Sequence, residues 1–93
     1  MLHGYIPPHR FLPYLSWTEI DQLPDKENTV IVLPCGAIEQ HGPHLPCSVD
    51  SVISSGVMGE ALKRLPPEVR AFALPTITYG KSEEHLHFPG TMT

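Results

Sequence analysis

The feature that most restricts the fold of this sequence is an unbroken run at residues 29–33, "TVIVL", which is closed by Pro34 and Gly36. A β-branched and apolar run without alternation is typical of a strand covered on both faces, as the strands of parallel sheets are. Parallel strands need a long crossover connection, which is usually a helix. The run therefore predicts an α/β fold with a helix and a second strand further along the chain.

A helix and a second strand are both predicted after this run. Residues 51–65, "SVISSGVMGEALKRL", bring apolar and small residues to one side at helical spacing: Val52, Ile53, Gly56, Val57, Ala61 and Leu65. Pro66 and Pro67 end the helix, and residues 68–75, "EVRAFALP", predict the next strand. The order strand, loop, helix, strand describes one parallel βαβ unit with a right-handed crossover.

Two further segments are predicted before the first strand. Residues 1–14 are expected to form an extended, proline-rich arm. Ser16 then precedes a short helical pattern, and Glu19 follows it by three residues, which is the signature of a capping box. Pro24 is expected to end this helix.

Length and charge exclude several classes of protein. The 93 residues predict a single domain, and a formal charge of −4 gives no indication of a surface for nucleic acid. No apolar run approaches the ~20 residues needed to span a bilayer. The first residues lack a basic stretch followed by an apolar core, so no signal peptide is predicted and a cytoplasmic location is expected. Cys35 and Cys47 are too few for a disulfide framework and are interpreted as small buried residues.

The loop after the first strand, residues 36–50 with the sequence "GAIEQHGPHLPCSVD", concentrates potential metal ligands. Glu39 and His41 are two residues apart, so in extended backbone their side chains point the same way. Asp50 follows nine residues after His41, where the loop can fold it back. A mixed set of oxygen and nitrogen donors suits Zn²⁺, Mn²⁺ or Fe²⁺ better than Ca²⁺ or Mg²⁺.

The same residues also have interpretations that involve no metal. Asp50 could be the N-cap of the following helix, and a carboxylate can cap and coordinate at once. Glu39 and His41 could be solvated loop residues, because two such residues by themselves are a weak motif. His44 is interpreted as a residue of the turn.

A second polar cluster, "YGKSEEHLHFPGT" at residues 79–91, follows the second strand. It contains Ser82 and His85 and suits a loop that lines a pocket, although its composition is equally that of a surface turn. Ligand sites in parallel sheets lie beyond the carboxyl ends of the strands. The two clusters are therefore expected to meet at one edge of the sheet.

The stretches "LPCGAIEQHGPHLPCSVD" and "ALPTITYGKSEEHLHFPGTMT" together resemble the creatininase family of metal-dependent amidohydrolases. The similarity runs from about residue 15 to the end and corresponds to the N-terminal portion of a three-layer α/β/α fold. It implies that Glu39, His41 and Asp50 bind two divalent metal ions, with Asp50 matching the bridging position. Zn²⁺ and Mn²⁺ are the expected ions, with Fe²⁺ as a further option.

The resemblance also implies an activity. Family members hydrolyse cyclic or linear C–N amide bonds with a water activated between the two metals, which implies a small-molecule amide substrate. Ser82 and His85 match a segment near the substrate, and the resemblance assigns no catalytic acid or base to this chain. Hexamers occur in the family, so a homo-oligomer is expected.

The resemblance has one major departure, which is length. Family chains are more than twice as long and contribute a further histidine and glutamate ligand from their later part. The chain is therefore interpreted as a truncated domain with at most three ligands of a dinuclear site. Two alternatives to a self-contained enzyme follow: an inactive fragment or paralogue that binds metal weakly, and a module that assembles with a complementary chain.

Overall fold

Two short parallel strands form the sheet of the computed structural model, which describes all 93 residues. Strand β1 (Val30–Val32) lies beside strand β2 (Ala71–Ala73), with Val30 opposite Ala71 and Val32 opposite Ala73. Helix α1 (Trp17–Asp21) precedes β1, and helix α2 (Val49–Lys63) connects the strands. Four 3-10 turns complete the structure: Pro8–Arg10, Leu12–Tyr14, Lys26–Asn28 and Glu83–His85. The predicted parallel βαβ order is confirmed.

Helix α1 begins with the predicted capping box. The hydroxyl of Ser16 accepts a hydrogen bond from the backbone N–H of Glu19 at 3.2 Å, and the Glu19 carboxylate accepts one from the backbone N–H of Ser16 at 2.9 Å. These bonds hold the pKa of Glu19 below its ordinary value of 4.5, and the bond from the Ser16 backbone has a larger effect than the bond with the Ser16 side chain. The two residues thus satisfy backbone donors that a helix start otherwise leaves unpaired.

The N-terminal segment is not the extended arm that the sequence predicts. Two 3-10 turns occupy residues 8–14, each with a proline in its first two positions, where the fixed φ of proline favours a turn. Ile6 and Phe11 are the largest fully buried side chains of the molecule, and Phe11 forms a parallel bridge with Ala73 beside β2. The segment folds back because these two apolar residues complete the core.

Arg10 joins this segment to the far end of α2. Its guanidinium is buried and donates to the carbonyls of Val69 at 2.7 Å, Ala71 at 3.1 Å, Pro66 at 2.9 Å and Leu65 at 3.4 Å. Leu65 and Pro66 lie just beyond the C-terminus of α2, where the helix dipole also favours a cation, and backbone carbonyls take the place of a carboxylate partner. Arg10 therefore holds together the end of α2, the start of β2 and the N-terminal segment.

Helix α2 presents to the core a side different from the predicted one. Its buried residues are Ser51, Gly59 and Leu62, whereas Val52, Ile53 and Val57 are exposed. Small residues allow the closest backbone approach: a Cβ on Gly59 would lie 2.8 Å from the carbonyl carbon of Tyr5. Ser51 and Gly59 allow this close packing and Leu62 joins the core, whereas Val52, Ile53 and Val57 face outward together with charged residues such as Glu60 and Lys63. Most of the residues that the helical spacing brings to one side are therefore exposed, and other positions of α2 make its contacts with the core.

The molecule is elongated, with principal extents of 48 × 23 × 23 Å. Its radius of gyration is 15.7 Å, against about 12 Å for a compact domain of this length. The outer edge of β1 pairs with no other strand, and Val30, Ile31 and Leu33 along it are about half exposed. The covering on both faces that the "TVIVL" run predicts is therefore not supplied within these 93 residues. None of the helices combines the length and the apolar character that crossing a lipid bilayer requires.

Candidate metal centre

The candidate site begins where the pairing of the two strands continues beyond β1 and β2. The Gly36 N–H donates to the carbonyl of Ile77 at 2.7 Å, and the Ile77 N–H donates to that of Pro34 at 2.9 Å. The buried hydroxyl of Ser51, in the first turn of α2, donates to the Ala37 carbonyl at 3.0 Å and also reaches the Thr78 carbonyl. The start of α2 is therefore fixed to the carboxyl ends of both strands.

The two polar segments meet at this edge, as the sequence predicts. The Met92 N–H donates to the Ile38 carbonyl at 2.9 Å, and the side-chain amide of Gln40 lies 3.2 Å from Nδ1 of His85. Within the first loop, the Glu39 N–H donates to the Cys47 carbonyl at 3.1 Å, which closes residues 39–47 into a compact turn. The edge is thus built from both loops.

His41 and Asp50 form the central pair of the site. Nε2 of His41 lies 3.1 Å from Oδ1 of Asp50, and Nδ1 of His41 lies 3.0 Å from the backbone carbonyl of Glu39. The pKa of His41 is raised, mainly by the hydrogen bond to the Glu39 carbonyl and to a smaller extent by the charge of Asp50. Partial burial acts in the opposite direction. Both side chains remain partly open, at 25% and 39% of their accessible surface.

The geometry of this pair fits a metal ion. In the metal-free ring both nitrogens of His41 face acceptors, so an ion at Nε2 would replace the proton between His41 and Asp50, while Nδ1–H would stay on the Glu39 carbonyl, the usual orientation of a histidine ligand. Two donors about 2.1 Å from one ion and about 90–110° apart lie about 3.0–3.4 Å from each other. The 3.1 Å between His41 and Asp50 falls within that separation.

The structure does not bring together a complete set of ligands. No group of three or more His, Cys, Asp or Glu side chains is close enough to hold a metal ion, so the carboxylate of Glu39 does not join the pair. The expectation that Asp50 could be the helix cap is wrong, because Ser48 is the N-cap and Asp50 lies in the first turn. A carboxylate in the first turn is still favourable there, since the helix dipole is positive at this end.

Ser82 and His85 occupy different environments in the second loop. Ser82 is 2% exposed, and its hydroxyl has no hydrogen-bond partner, while its N–H donates to the Thr93 hydroxyl at 3.1 Å. His85 is partly exposed in the turn Glu83–His85, and its carbonyl accepts a bond from the Thr91 hydroxyl at 2.7 Å. Of the two, the ring of His85 is the one in direct contact with the first loop.

Sequence reasoning missed two residues that shape this edge, Gln40 and Ser51. Alternation along an extended loop places Gln40 opposite its neighbours Glu39 and His41, which was the available signal for a contact with the second loop. Nothing in the pattern of α2 marks Ser51. Both cysteines are free thiols, and Cys35 is exposed, which corrects the interpretation of that residue as buried.

Comparisons with known proteins agree with the motifs. The family model "Creatininase: Creatinine amidohydrolase" matches residues 13–93. The chain belongs to the creatininase family. A "Mycofactocin precursor peptide peptidase" of Mycolicibacterium smegmatis is 39% identical over 66 residues, covering 69% of this chain and 27% of the relative. A "Creatinine amidohydrolase" of Pseudomonas putida is 35% identical over 86 residues, covering 87% of this chain and 32% of the relative.

Solved creatininase structures share the fold. A structure named "Creatininase Mn" superposes with a TM-score of 0.71 at 32% identity, covering 90% of this chain and 33% of that one. A mutant creatininase of "Zn-Zn type" gives 0.68 at 33% identity, with coverage of 89% and 33%. A mutant creatininase "complexed with creatine" gives 0.69 at 33% identity, with coverage of 89% and 32%. The 93 residues thus span about a third of the relatives they match, and they carry the N-terminal portion of the creatininase α/β fold.

Proposed function

We propose that this chain provides the metal-ligand loop of an amidohydrolase that cleaves a C–N amide bond in a small molecule. The observation that carries the proposal is the pair formed by His41 and Asp50, 3.1 Å apart, with Nδ1 of His41 engaged by a backbone carbonyl. It lies in a loop of a creatininase family member, at the carboxyl ends of parallel strands, where ligands of such folds bind.

Three residues of the loop are the proposed metal ligands. His41 would bind a divalent ion through Nε2, Asp50 through its carboxylate, and Glu39 through its own carboxylate after a change of side-chain orientation. The bound ions would supply a hydroxide at neutral pH and polarise the substrate carbonyl. The backbone carbonyl of Glu39 keeps the His41 ring oriented, which is the role that a second layer of contacts has in metal sites.

Several finer points belong to the same proposal. The names of the similar structures, "Creatininase Mn" and "Zn-Zn type", favour Mn²⁺ and Zn²⁺ as the ions, with Fe²⁺ as a further option. The structure "complexed with creatine" favours a small guanidino or cyclic amide substrate, and the mycofactocin peptidases favour a peptide-like amide. Ser82 and His85 as substrate contacts, a homo-oligomer and a cytoplasmic location stay predictions.

The apolar surface of the chain favours one form of this function, in which the rest of the family fold completes the site. The outer edge of β1 is unpaired, and Val52, Ile53 and Val57 of α2 expose a contiguous apolar stretch to solvent. Unpaired strand edges and large apolar patches are usually covered by another chain segment. The donor set is also incomplete. We propose that the remaining two-thirds of the family fold covers this surface and brings the missing ligands.

Metal binding is the first test of the proposal. Titration calorimetry of the metal-free chain with Zn²⁺ and Mn²⁺ is expected to show binding that falls by about 10-fold or more in Asp50→Asn and in His41→Gln, since each substitution removes a donor. Asp21→Asn is the matched control, because Asp21 is an exposed aspartate of α1. Equal affinities in wild type, Asp50→Asn and Asp21→Asn would show that the pair is not a metal site.

Completion of the site is the second test. The chain is co-expressed with the C-terminal two-thirds of the Pseudomonas putida creatinine amidohydrolase, and creatinine hydrolysis is measured. The same enzyme split at the matching position is the positive control. We expect a complex whose activity is lost in Asp50→Asn. If the split control is active and the chain neither associates nor contributes activity, the completion proposal fails, and a metal-binding chain without catalysis is the remaining interpretation.

A further inference from the structure

A chain of three polar groups connects the two loops through Gln40. The Gly42 N–H donates to Oε1 of Gln40 at 2.9 Å, and Nε2 of Gln40 lies 3.2 Å from Nδ1 of His85. A backbone N–H can only donate, so it fixes which end of the amide is the oxygen. The other end of the amide is then the NH₂ group, which also only donates. Nδ1 of His85 must therefore be the acceptor.

We propose that Gln40 is a positioning residue that holds His85 as the tautomer protonated at Nε2. An imidazole ring that accepts at Nδ1 carries its proton on Nε2 when it is neutral. His85 then offers an N–H donor at the edge of the sheet where the two loops meet. A donor of this kind recognises a carbonyl or carboxylate oxygen, and this second step rests on the proposed amide-hydrolysing function.

The surroundings of both residues hold this arrangement in place. Gly42 has a φ of 77°, in the left-handed region that glycine adopts readily, and this turn directs its N–H back toward the Gln40 side chain. The His85 carbonyl is fixed by the Thr91 hydroxyl at 2.7 Å, and the ring lies edge-on to Phe88 with centroids 6.0 Å apart. The tautomer is thus set by a backbone N–H of the first loop acting through the Gln40 amide, and the Thr91 and Phe88 contacts hold His85 in place.

The test is a two-bond proton–nitrogen correlation spectrum of the histidine rings in the metal-free chain at about pH 8, where free histidine is neutral. The signals of His85 are assigned by their disappearance in His85→Gln. The wild-type chain is expected to show His85 with Nδ1 unprotonated and Nε2 protonated. A spectrum with Nδ1 protonated, or with the even exchange average of a free ring, would overturn the proposal.

Gln40→Glu is the decisive variant, because it keeps one oxygen for the Gly42 N–H and puts a second oxygen opposite His85. The ring must then donate from Nδ1, so the ring proton is expected to move from Nε2 to Nδ1. Gln22→Glu, at the end of α1, introduces the same charge far from His85 and is the matched control. An unchanged His85 pattern in Gln40→Glu would show that Gln40 does not set the tautomer.

The donor role toward substrate has its own readout. In the completed, active complex, Gln40→Glu is expected to raise KM by about 2- to 10-fold with a smaller change in kcat, since one hydrogen bond to the substrate is lost. An unchanged KM would reject the donor role and leave the tautomer assignment intact. Because the ring spectrum needs neither metal nor activity, failure of the hydrolase proposal is separable from failure of this one.

Discussion

Two regions of the molecule are held together by different forces. The packed region, defined by Ile6, Phe11, Leu62, Ala71 and Ala73, contains every buried apolar side chain of the core. The ligand region, residues 36–50 and 79–91, contributes none of them and is held by hydrogen bonds such as those of Ser51 and Gln40. Apolar packing is therefore concentrated in the first region and potential ligands in the second.

This separation has a physical reason. Apolar burial is non-directional and excludes water, whereas a metal-binding edge needs donors that stay accessible to ions and substrate. His41 and Asp50 keep a quarter or more of their side-chain surface open, while Phe11 keeps 1%. The ligand region is thus expected to tolerate the loss of a side chain better than the packed region, except where its backbone approaches α2 directly.

The difference in packing between the two regions is tested most strongly by truncating one phenylalanine in each region, Phe11 and Phe88. Phe11→Ala is expected to lower the free energy of unfolding by about 3–5 kcal/mol, because it empties a fully buried site. Phe88 is 42% exposed in the ligand region. Phe88→Ala is therefore expected to cost about 1 kcal/mol or less. Urea unfolding followed by circular dichroism measures both.

Because marginal domains have only about 5–15 kcal/mol of total stability, Phe11→Ala alone could abolish folding. Phe11→Leu keeps most of the buried volume and is the milder companion variant. Equal losses for Phe11→Leu and Phe88→Leu would contradict the division into a packed and a ligand region.

A second pair of variants tests the close approach of the ligand-region backbone to α2. A Cβ on Gly36 would lie 2.5 Å from the Cα of Ser51, which is backbone and cannot move aside. A Cβ on Gly56 would meet no atom within 4 Å beyond its neighbours and its own helix backbone. Gly36→Ala is expected to destabilise by about 1–3 kcal/mol. Gly56→Ala, within α2, is expected to stabilise by about 0.5–1 kcal/mol.

Thermal unfolding of both glycine variants measures these opposite signs. A neutral Gly36→Ala would mean that the ligand region adjusts its backbone freely, and that the contact between Gly36 and α2 does not position Asp50. Destabilisation by Gly36→Ala would instead show that the backbone contact between Gly36 and α2 positions the site, since no buried apolar side chain of this region does so.

Local signals in the sequence were enough for the order of the elements and for the meeting of the two polar loops. The run at residues 29–33, the capping box at Ser16 and the spacing of α2 each depend on neighbours within a few residues. The meeting of the two loops follows from parallel topology alone. The structure confirms the first strand, the capping box, the existence of α2 and the meeting of the two loops.

Features that depend on distant partners could not be predicted from these patterns. Which side of α2 is buried depends on what lies beside it: Gly59 meets the backbone of Tyr5, and the apolar Val57 faces outward. The turns around Phe11 depend on its packing against residues that are distant in the sequence, such as Ala73. At the site, the spacing of His41 and Asp50 allows their contact, but an amide such as Gln40 leaves no distinct signal in composition.

The smallest expected effect lies outside both regions, at the start of α1. The pKa of Glu19 is lowered by its bonds with Ser16, so the capping box contributes stability above the ordinary pKa of 4.5. That contribution is lost as the pH falls through the lowered pKa of Glu19. The Ser16 amide proton, which donates to the Glu19 carboxylate, is expected to report this titration in NMR spectra with a midpoint below 4.5.

Glu19→Gln is the matched control, because glutamine can still accept from the Ser16 N–H but does not titrate. The amide shift of Ser16 is then expected to be constant across the same pH range. A midpoint at or above 4.5 in the wild-type chain would mean that the carboxylate does not cap the helix. Because α1 has no buried side chain, the titration of Glu19 is expected to leave the packing of the rest of the chain unchanged.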